Sequence, residues 1–254
     1  MFRGCAALPF SDLIRVSSER AQSRIVLALD LEDDDHQTLV EKCNEILENV
    51  SEYVCAVKIN RQLVLALGLP TVNHIVRKAH ECSLPVIMDA KLNDVGHTNS
   101  FIMESYIRAG FDAVIASPIT GWRGGMDSVF ELARKRDRGI ILLVYMSNPG
   151  AEQFYSMLTS TEDGQKPIFE VFTEMAVEWG ADGLVVGATR PEIIRRVRTL
   201  VGPSMGIYSP GVGIQGGDAK KALEFGSTYL IVGRTIYAST NPRATARELY
   251  ESVK

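Results

Sequence analysis

The chain has 254 residues, 46% of them hydrophobic and 23% charged, which suits a soluble globular protein built as one large domain or two small ones. Its net charge of −4 gives no attraction toward nucleic acid or an anionic membrane, and no apolar run approaches the ~20 residues of a membrane span. Cys5, Cys43, Cys55 and Cys82 are scattered without a C-x-x-C pair, and Arg3, Pro9, Asp12 and Arg15 break up the apolar residues at the N-terminus, so a cytoplasmic protein with reduced thiols and no signal peptide is expected.

Residues 1–23 read as an N-terminal extension with one short helix around Asp12 to Arg20, and 24–254 as a single domain. Arg24 to Asp30 is a nearly all-apolar run ending in a carboxylate, as expected for a strand buried on both faces. An acidic loop and a helix from Gln37 to Asn49 follow, with Leu39, Val40, Cys43, Ile46 and Leu47 at helical spacing. Tyr53 to Ile59 predicts a second strand, with Lys58 at its end. Helices are expected over Gln62–Leu67 and Thr71–Glu81, interrupted by Gly68 and Pro70. Pro85 to Asp89 predicts the third strand, and Asn99 to Ala109 the next helix.

The alternation continues with strands at Ala113–Ser117, Ile140–Tyr145, Gly183–Val186, Met205–Ser209 and Tyr229–Val232. The intervening helices are a Gly-rich turn leading into a helix to Arg136, then Pro167–Trp179, Arg190–Leu200, Asp218–Phe225 and Pro242–Ser252. Eight βα units in this length, with no linker, predict an α/β fold closed as a (β/α)8 TIM barrel.

In such a barrel the chemistry sits at the C-terminal ends of the strands. Asp30, Lys58, Asp89, Lys91, Ser147, Gln215 and Arg234 all fall there. Asp89 and Lys91 are two apart on a strand, so they share a face, and Asp94 lies in or near the following loop. Carboxylates beside lysines hold them as ammonium ions. That argues against a Schiff-base lysine and suits a cation that stabilises a carbanion and then protonates it. Gly211, Gly213, Gly216 and Gly217, the helix starts after both late loops, and Arg234 predict a phosphate site. No histidines and carboxylates stand at metal-ligand spacing. His74 and His80 fall within a helical pattern and read as surface or packing residues, and His97 lies beside the charged stretch. Trp122 and Trp179 read as packing residues.

Asp-Ala-Lys-Leu-Asn-Asp-Val at 89–95 resembles the Asp-x-Lys-x-x-Asp-Ile/Val signature of the orotidine 5′-phosphate decarboxylase family. Leu-Ala-Leu-Asp ending at Asp30, Val-Lys-Ile at 57–59, Met-Ser-Asn-Pro-Gly-Ala-Glu at 146–152, Ser-Pro-Gly-Val-Gly-Ile-Gln-Gly-Gly at 209–217 and Val-Gly-Arg-Thr-Ile-Tyr at 232–237 extend it, with compact archaeal-type members the most similar. The resemblance implies cofactor-independent decarboxylation of orotidine 5′-phosphate to UMP in pyrimidine biosynthesis. It implies Lys91 as proton donor to C6 and Asp89 against the departing carboxylate. Lys58 and Asp30 would bind the ribose, and Ser147 the pyrimidine edge. Gln215, Gly233 and Arg234 would hold the phosphate, with Pro210, Gly211, Val212 and the residues to Gln215 as a lid. It also implies a homodimer with shared sites, in which Asp94 and Thr98 reach the neighbouring subunit and Val95 contacts the base.

Two alternatives stand beside it. Mg²⁺-dependent 3-keto-L-gulonate 6-phosphate decarboxylase and hexulose-phosphate synthase share the Asp-x-Lys-x-x-Asp element but carry a Glu where this chain has Lys58, and a lysine there would repel the metal. A non-catalytic phosphate-ligand sensor would have no use for the Asp89–Lys91 pair.

Overall fold

The computed structural model describes residues 8–254. Eight parallel strands close into a barrel: β1 (Ile25–Ala28), β2 (Ala56–Asn60), β3 (Val86–Leu92), β4 (Ala113–Ala116), β5 (Gly139–Tyr145), β8 (Gly183–Val186), β9 (Gly206–Pro210) and β10 (Tyr229–Val232). Between β5 and β8 an exposed antiparallel hairpin, β6 (Leu158–Thr161) and β7 (Gly164–Pro167), stands outside the barrel. The barrel closes by β1 pairing β10, with Ile25 opposite Leu230.

The apolar runs form these strands because both faces are covered. Val26, Ala28, Ile87, Ile115, Ile141, Leu143, Val185 and Ile231 fill the barrel interior. Their strand neighbours Ile25, Leu27, Met88, Val114, Leu142, Leu184 and Leu230 pack outward against the helices, joined there by Leu39, Leu47, Ile75, Met103 and Ile194. The alternation of side chains along each strand divides the core into these two layers. Trp122 and Trp179 lie 5.3 Å apart between ring centroids and also pack with Phe130, as expected of packing residues. Among the described residues no helix is long and apolar enough to cross a membrane.

The N-terminal helix runs Phe10–Ala21, slightly longer than expected, and it packs onto the barrel. Phe10 and Ile14, each 2% exposed, belong to the interior cluster and close the end of the barrel opposite the strand C-termini. A side chain at Gly139, the first residue of β5, would come within 2.6 Å of Phe10, so the glycine makes room for the ring. Ser17 Oγ donates to the Cys55 carbonyl (2.7 Å) and Arg20 to that of Ser83 (2.7 Å), tying the helix to the starts of β2 and β3.

Other boundaries move for local reasons. β3 continues to Leu92, three residues past the expected end. One helical segment runs Arg61–Glu81, but Gly68 within it has φ 73° and ψ 153°, so the break expected at Gly68 and Pro70 is a kink. Two short helices, Ala151–Tyr155 and Arg234–Tyr237, were not expected. Cys5 lies outside the described residues; Cys43 and Cys55 are buried and Cys82 partly so, all as free thiols.

Candidate active site

The C-terminal ends of the strands surround a cavity of about 220 Å³. Asp30, Lys58, Asp89, Lys91, Ser147, Pro210, Gly211, Val212, Gln215, Gly233 and Arg234 all line it. These positions come from six separate stretches of chain, and barrel closure is what brings them together.

One side of the cavity is an alternating row of charge. Lys58 Nζ lies 3.1 and 3.2 Å from the two carboxylate oxygens of Asp30 and 3.2 Å from Asp89 Oδ2. Lys91 Nζ donates to Asp89 Oδ1 at 2.6 Å. The order is therefore Asp30, Lys58, Asp89, Lys91. Lys58 and Asp89 are buried, while Asp30 and Lys91 reach the open space. Burial alone would lower the Lys58 pKa, but the adjacent Asp89 and Asp30 more than offset that and hold it above the usual lysine value. Burial would likewise raise Asp89, yet Lys58 and Lys91 keep its carboxyl below the usual aspartate value. The pair is ionised, and its charges are fixed before any ligand enters.

Lys91 also carries a backbone feature that strand periodicity does not show. Its φ is +45°, left-handed for a residue with a side chain. The β3–β4 pairing shifts register there: Met88 is opposite Val114, but Leu92 is opposite Ala116. Asp89 and Lys91 do share the inward face, but on an irregular strand end that aims the lysine at the carboxylate.

The opposite side is built from glycine-rich backbone. Gly211, Gly213 and Gly216 have φ of 94°, 80° and 90°, which a side chain would strain. A Cβ on Gly213 would lie 2.3 Å from Thr235 Oγ1, so the loop packs onto the start of the Arg234–Tyr237 helix. Ser147 Oγ donates to Gln215 Oε1 (2.9 Å), joining the ends of β5 and β9 across the cavity. Arg234 is exposed at the rim and forms no ion pair with any described residue, so its guanidinium is available to an anion entering the cavity. One expectation needs correction. The helix after the glycine loop, Ala219–Glu224, is already capped, because the Asp218 carboxylate accepts from Lys221 N–H (2.9 Å). An anion there would rely on the glycine backbone and Arg234.

The structure does not bring Asp94, Val95 or Thr98 into this cavity. Asp94 and Val95 are exposed in the loop after β3, and Thr98 lies in the helix Gly96–Arg108. His97 is exposed with Nε2 3.3 Å from Thr98 Oγ1, also outside the cavity. His74 contacts Arg77 and His80 contacts Asp112, away from the site. The cavity also has a floor that motif reading missed: Ile115, Leu143, Met146, Val185 and Ile231, with Asn60, Ile214, Thr235 and Tyr237 at its sides. Apart from Met146, just past the end of β5, the apolar members are the last inward-facing residues of their strands, so strand register was the available signal.

A charged row beside an apolar floor, facing glycine backbone and an arginine without an ion pair among the described residues, suits a phosphorylated planar ligand. Known proteins share the sequence and the fold. The family model described as orotidine 5′-phosphate decarboxylase / HUMPS family matches residues 23–249. A Methanosarcina mazei protein named orotidine 5′-phosphate decarboxylase is 38% identical over 230 residues, covering 91% of this chain and 94% of its own. The solved OMP decarboxylase of Leishmania donovani superposes with a TM-score of 0.85 at 26% identity, over 97% of this chain and 98% of its own. The UMP synthase of that organism superposes with a TM-score of 0.87 at 29% identity, and there the chain spans only 56% of the longer protein. With a family model matched across nearly the whole barrel and relatives of that identity and coverage, the chain belongs to the orotidine 5′-phosphate decarboxylase / HUMPS family.

Proposed function

We propose that this chain decarboxylates orotidine 5′-phosphate to UMP and CO₂ without a cofactor. The observation that carries this reading is the Asp30–Lys58–Asp89–Lys91 row, with a buried ammonium at its second position. The family also includes hexulose-phosphate synthases, which use Mg²⁺. Here Lys58 Nζ occupies the space between two carboxylates, and a divalent cation would sit against it.

In this reading the phosphate lies against Gly211, Gly233 and Arg234, and Gln215 closes over it. Ser147 meets the pyrimidine edge, and Asp30 and Lys58 hold the ribose. The substrate carboxylate is then forced toward Asp89, an anion with its charge already fixed. The C6–carboxylate bond breaks, its electron pair stays on C6, and CO₂ leaves. The C6 carbanion has no conjugated sink, so the nearby Lys91 ammonium stabilises it and transfers a proton from Nζ to C6. Water then returns a proton to the Lys91 amine. Binding energy from the phosphate, remote from the reacting carbon, serves to close the Pro210–Gln215 segment and order the site.

The active unit in this reading is a homodimer with shared sites. Beside Lys91 lies a second hollow of about 300 Å³, lined by Arg61, Lys91, Asn93, Ser117 and Ile119 among others, with two cations and no carboxylate. Asp94 of the partner subunit would complement that charge, with Val95 and Thr98 of the partner subunit beside it.

The test is the loss of orotidine 5′-phosphate absorbance, followed with and without EDTA, for wild type and Lys91→Ala. Turnover that EDTA leaves unchanged, abolished in Lys91→Ala while UMP still binds, is the expected result. Loss of turnover with EDTA would point to the metal-dependent relatives, and no turnover in wild type would leave a ligand sensor.

A further inference from the structure

The loop after β3 carries Asp94, and one buried amide holds it. Asn99 is completely buried in the helix Gly96–Arg108, an uncommon place for an amide unless it is fully bonded. Its Oδ1 accepts from the Asp94 N–H (2.9 Å). Its Nδ2 donates to the Asp94 carbonyl (2.5 Å) and to the Gly125 carbonyl (3.1 Å). A backbone N–H must meet the oxygen and two carbonyls must meet the nitrogen, so the amide has only one workable orientation. Asp94 is thus gripped on both sides of its α-carbon and anchored to the turn before the next helix.

A second clamp acts two residues on. Ser128 Oγ donates to the Gly96 carbonyl (3.0 Å), and a side chain at Gly96 would come within 3.2 Å of the Gly124 carbonyl oxygen. By contrast, the Asp94 carboxylate is exposed. Its bond to the Val95 N–H (2.7 Å) is local, and it makes no ion pair with any described residue. A rigidly held backbone that presents an unpaired carboxylate outward is arranged for a target outside the subunit.

We propose that Asn99 is the positioning residue that aims Asp94 into the neighbouring subunit's site. The proposal rests on the shared-site reading above. Asn99 touches no reacting atom and acts through Asp94 alone. Asparagine is required because aspartate would set an oxygen against two carbonyls, and leucine would leave all three backbone groups unpaired.

Asn99→Ala and Asn99→Asp are each expected to lower kcat/KM by about 10²-fold, the scale of a catalytic group displaced by about 1 Å. UMP affinity of the phosphate side should change little. Folding is checked by circular dichroism, and Asn99→Asp, close to isosteric, serves if Asn99→Ala is too unstable. Subunit mixing then separates aim from general stability. Lys91→Ala mixed with Asp94→Ala tests the shared site itself. Lys91→Ala mixed with Asn99→Asp should recover up to about a quarter of wild-type activity, from one restored site in those dimers that are hybrids. Asp94→Ala mixed with Asn99→Asp should recover none, because both defects lie on the exported loop. Recovery in Lys91→Ala with Asp94→Ala but not in Lys91→Ala with Asn99→Asp, or recovery in Asp94→Ala with Asn99→Asp, overturns the role of Asn99 and leaves the shared site standing. No recovery in Lys91→Ala with Asp94→Ala, with subunit exchange shown by mass spectrometry, overturns the shared site and the proposal with it.

Discussion

Asp89 is the hinge of the charged row, because each of its oxygens meets a different lysine. Two carboxylates and two ammonium ions balance, and removing the central anion leaves the Lys58 side chain, 5% exposed, with Asp30 alone. Asp89→Asn is therefore expected to destabilise the protein by about 3 kcal/mol, measured by urea unfolding, as well as to abolish turnover. The pH dependence has a fixed sign. The folded-state pKa of Asp89 lies below 3.8, so its contribution is complete above that value and lost as pH falls through the lower one. Lys58 lies above 10.5, so its contribution is complete below that value and lost as pH rises through the higher one. The gap in melting temperature between wild type and Asp89→Asn should stay level from pH 3.8 up to neutral pH and narrow below pH 3.8; a gap that widens on acidification would contradict the ionised row. These charges were legible in the sequence because each stands at the end of an apolar run. The apolar floor was not, since Leu143 and Ile231 look like any other core residue until register separates inward from outward positions.

At the scale of elements, legibility followed the strength of the local pattern. The eight barrel strands were readable because they are unbroken apolar runs between turn signals. The β6–β7 hairpin carries no such signal, because Leu-Thr-Ser-Thr and Gly-Gln-Lys-Pro lack an apolar face, and both strands lie at the surface. The end of β3 was missed because charged residues inside a strand look like a loop. The N-terminal helix was placed well, but its role depends on contacts with residues more than a hundred positions away, such as Gly139, which no local pattern carries. That role gives a separable prediction. Phe10→Ala removes the ring that fills the closed end of the barrel and should cost about 3 kcal/mol or more of stability. KM for orotidine 5′-phosphate should be unchanged below the unfolding temperature, because the ring lies at the far end from the cavity. A matching rise in KM, measured at 25 °C, would show that the two ends are coupled.

For the whole molecule, four of the exposed large apolar residues stand near the Asp94 loop or the strand ends beside it. Val95 (53% exposed) and Phe101 (76%) flank the Asp94 loop and the helix behind it, and Leu65 (84%) and Ile119 (53%) stand beside residues lining hollows on the same rim. Such a cluster is expected where a second copy docks. In the proposed homodimer, Phe101→Glu should shift sedimentation from dimer toward monomer, and turnover should fall in step with the dimer fraction as protein is diluted. A fully active Phe101→Glu monomer would refute the shared site.

The left-handed backbone at Lys91 sets the fold and the chemistry in opposition at one position. A glycine would relieve the strain at φ +45°, so Lys91→Gly should be more stable than Lys91→Ala by about 1 kcal/mol, although the proposed mechanism leaves both inactive. In the proposed mechanism, demand for the reaction keeps a side chain where the backbone conformation favours glycine, and the difference in melting temperature between those two variants measures the strength of that conflict.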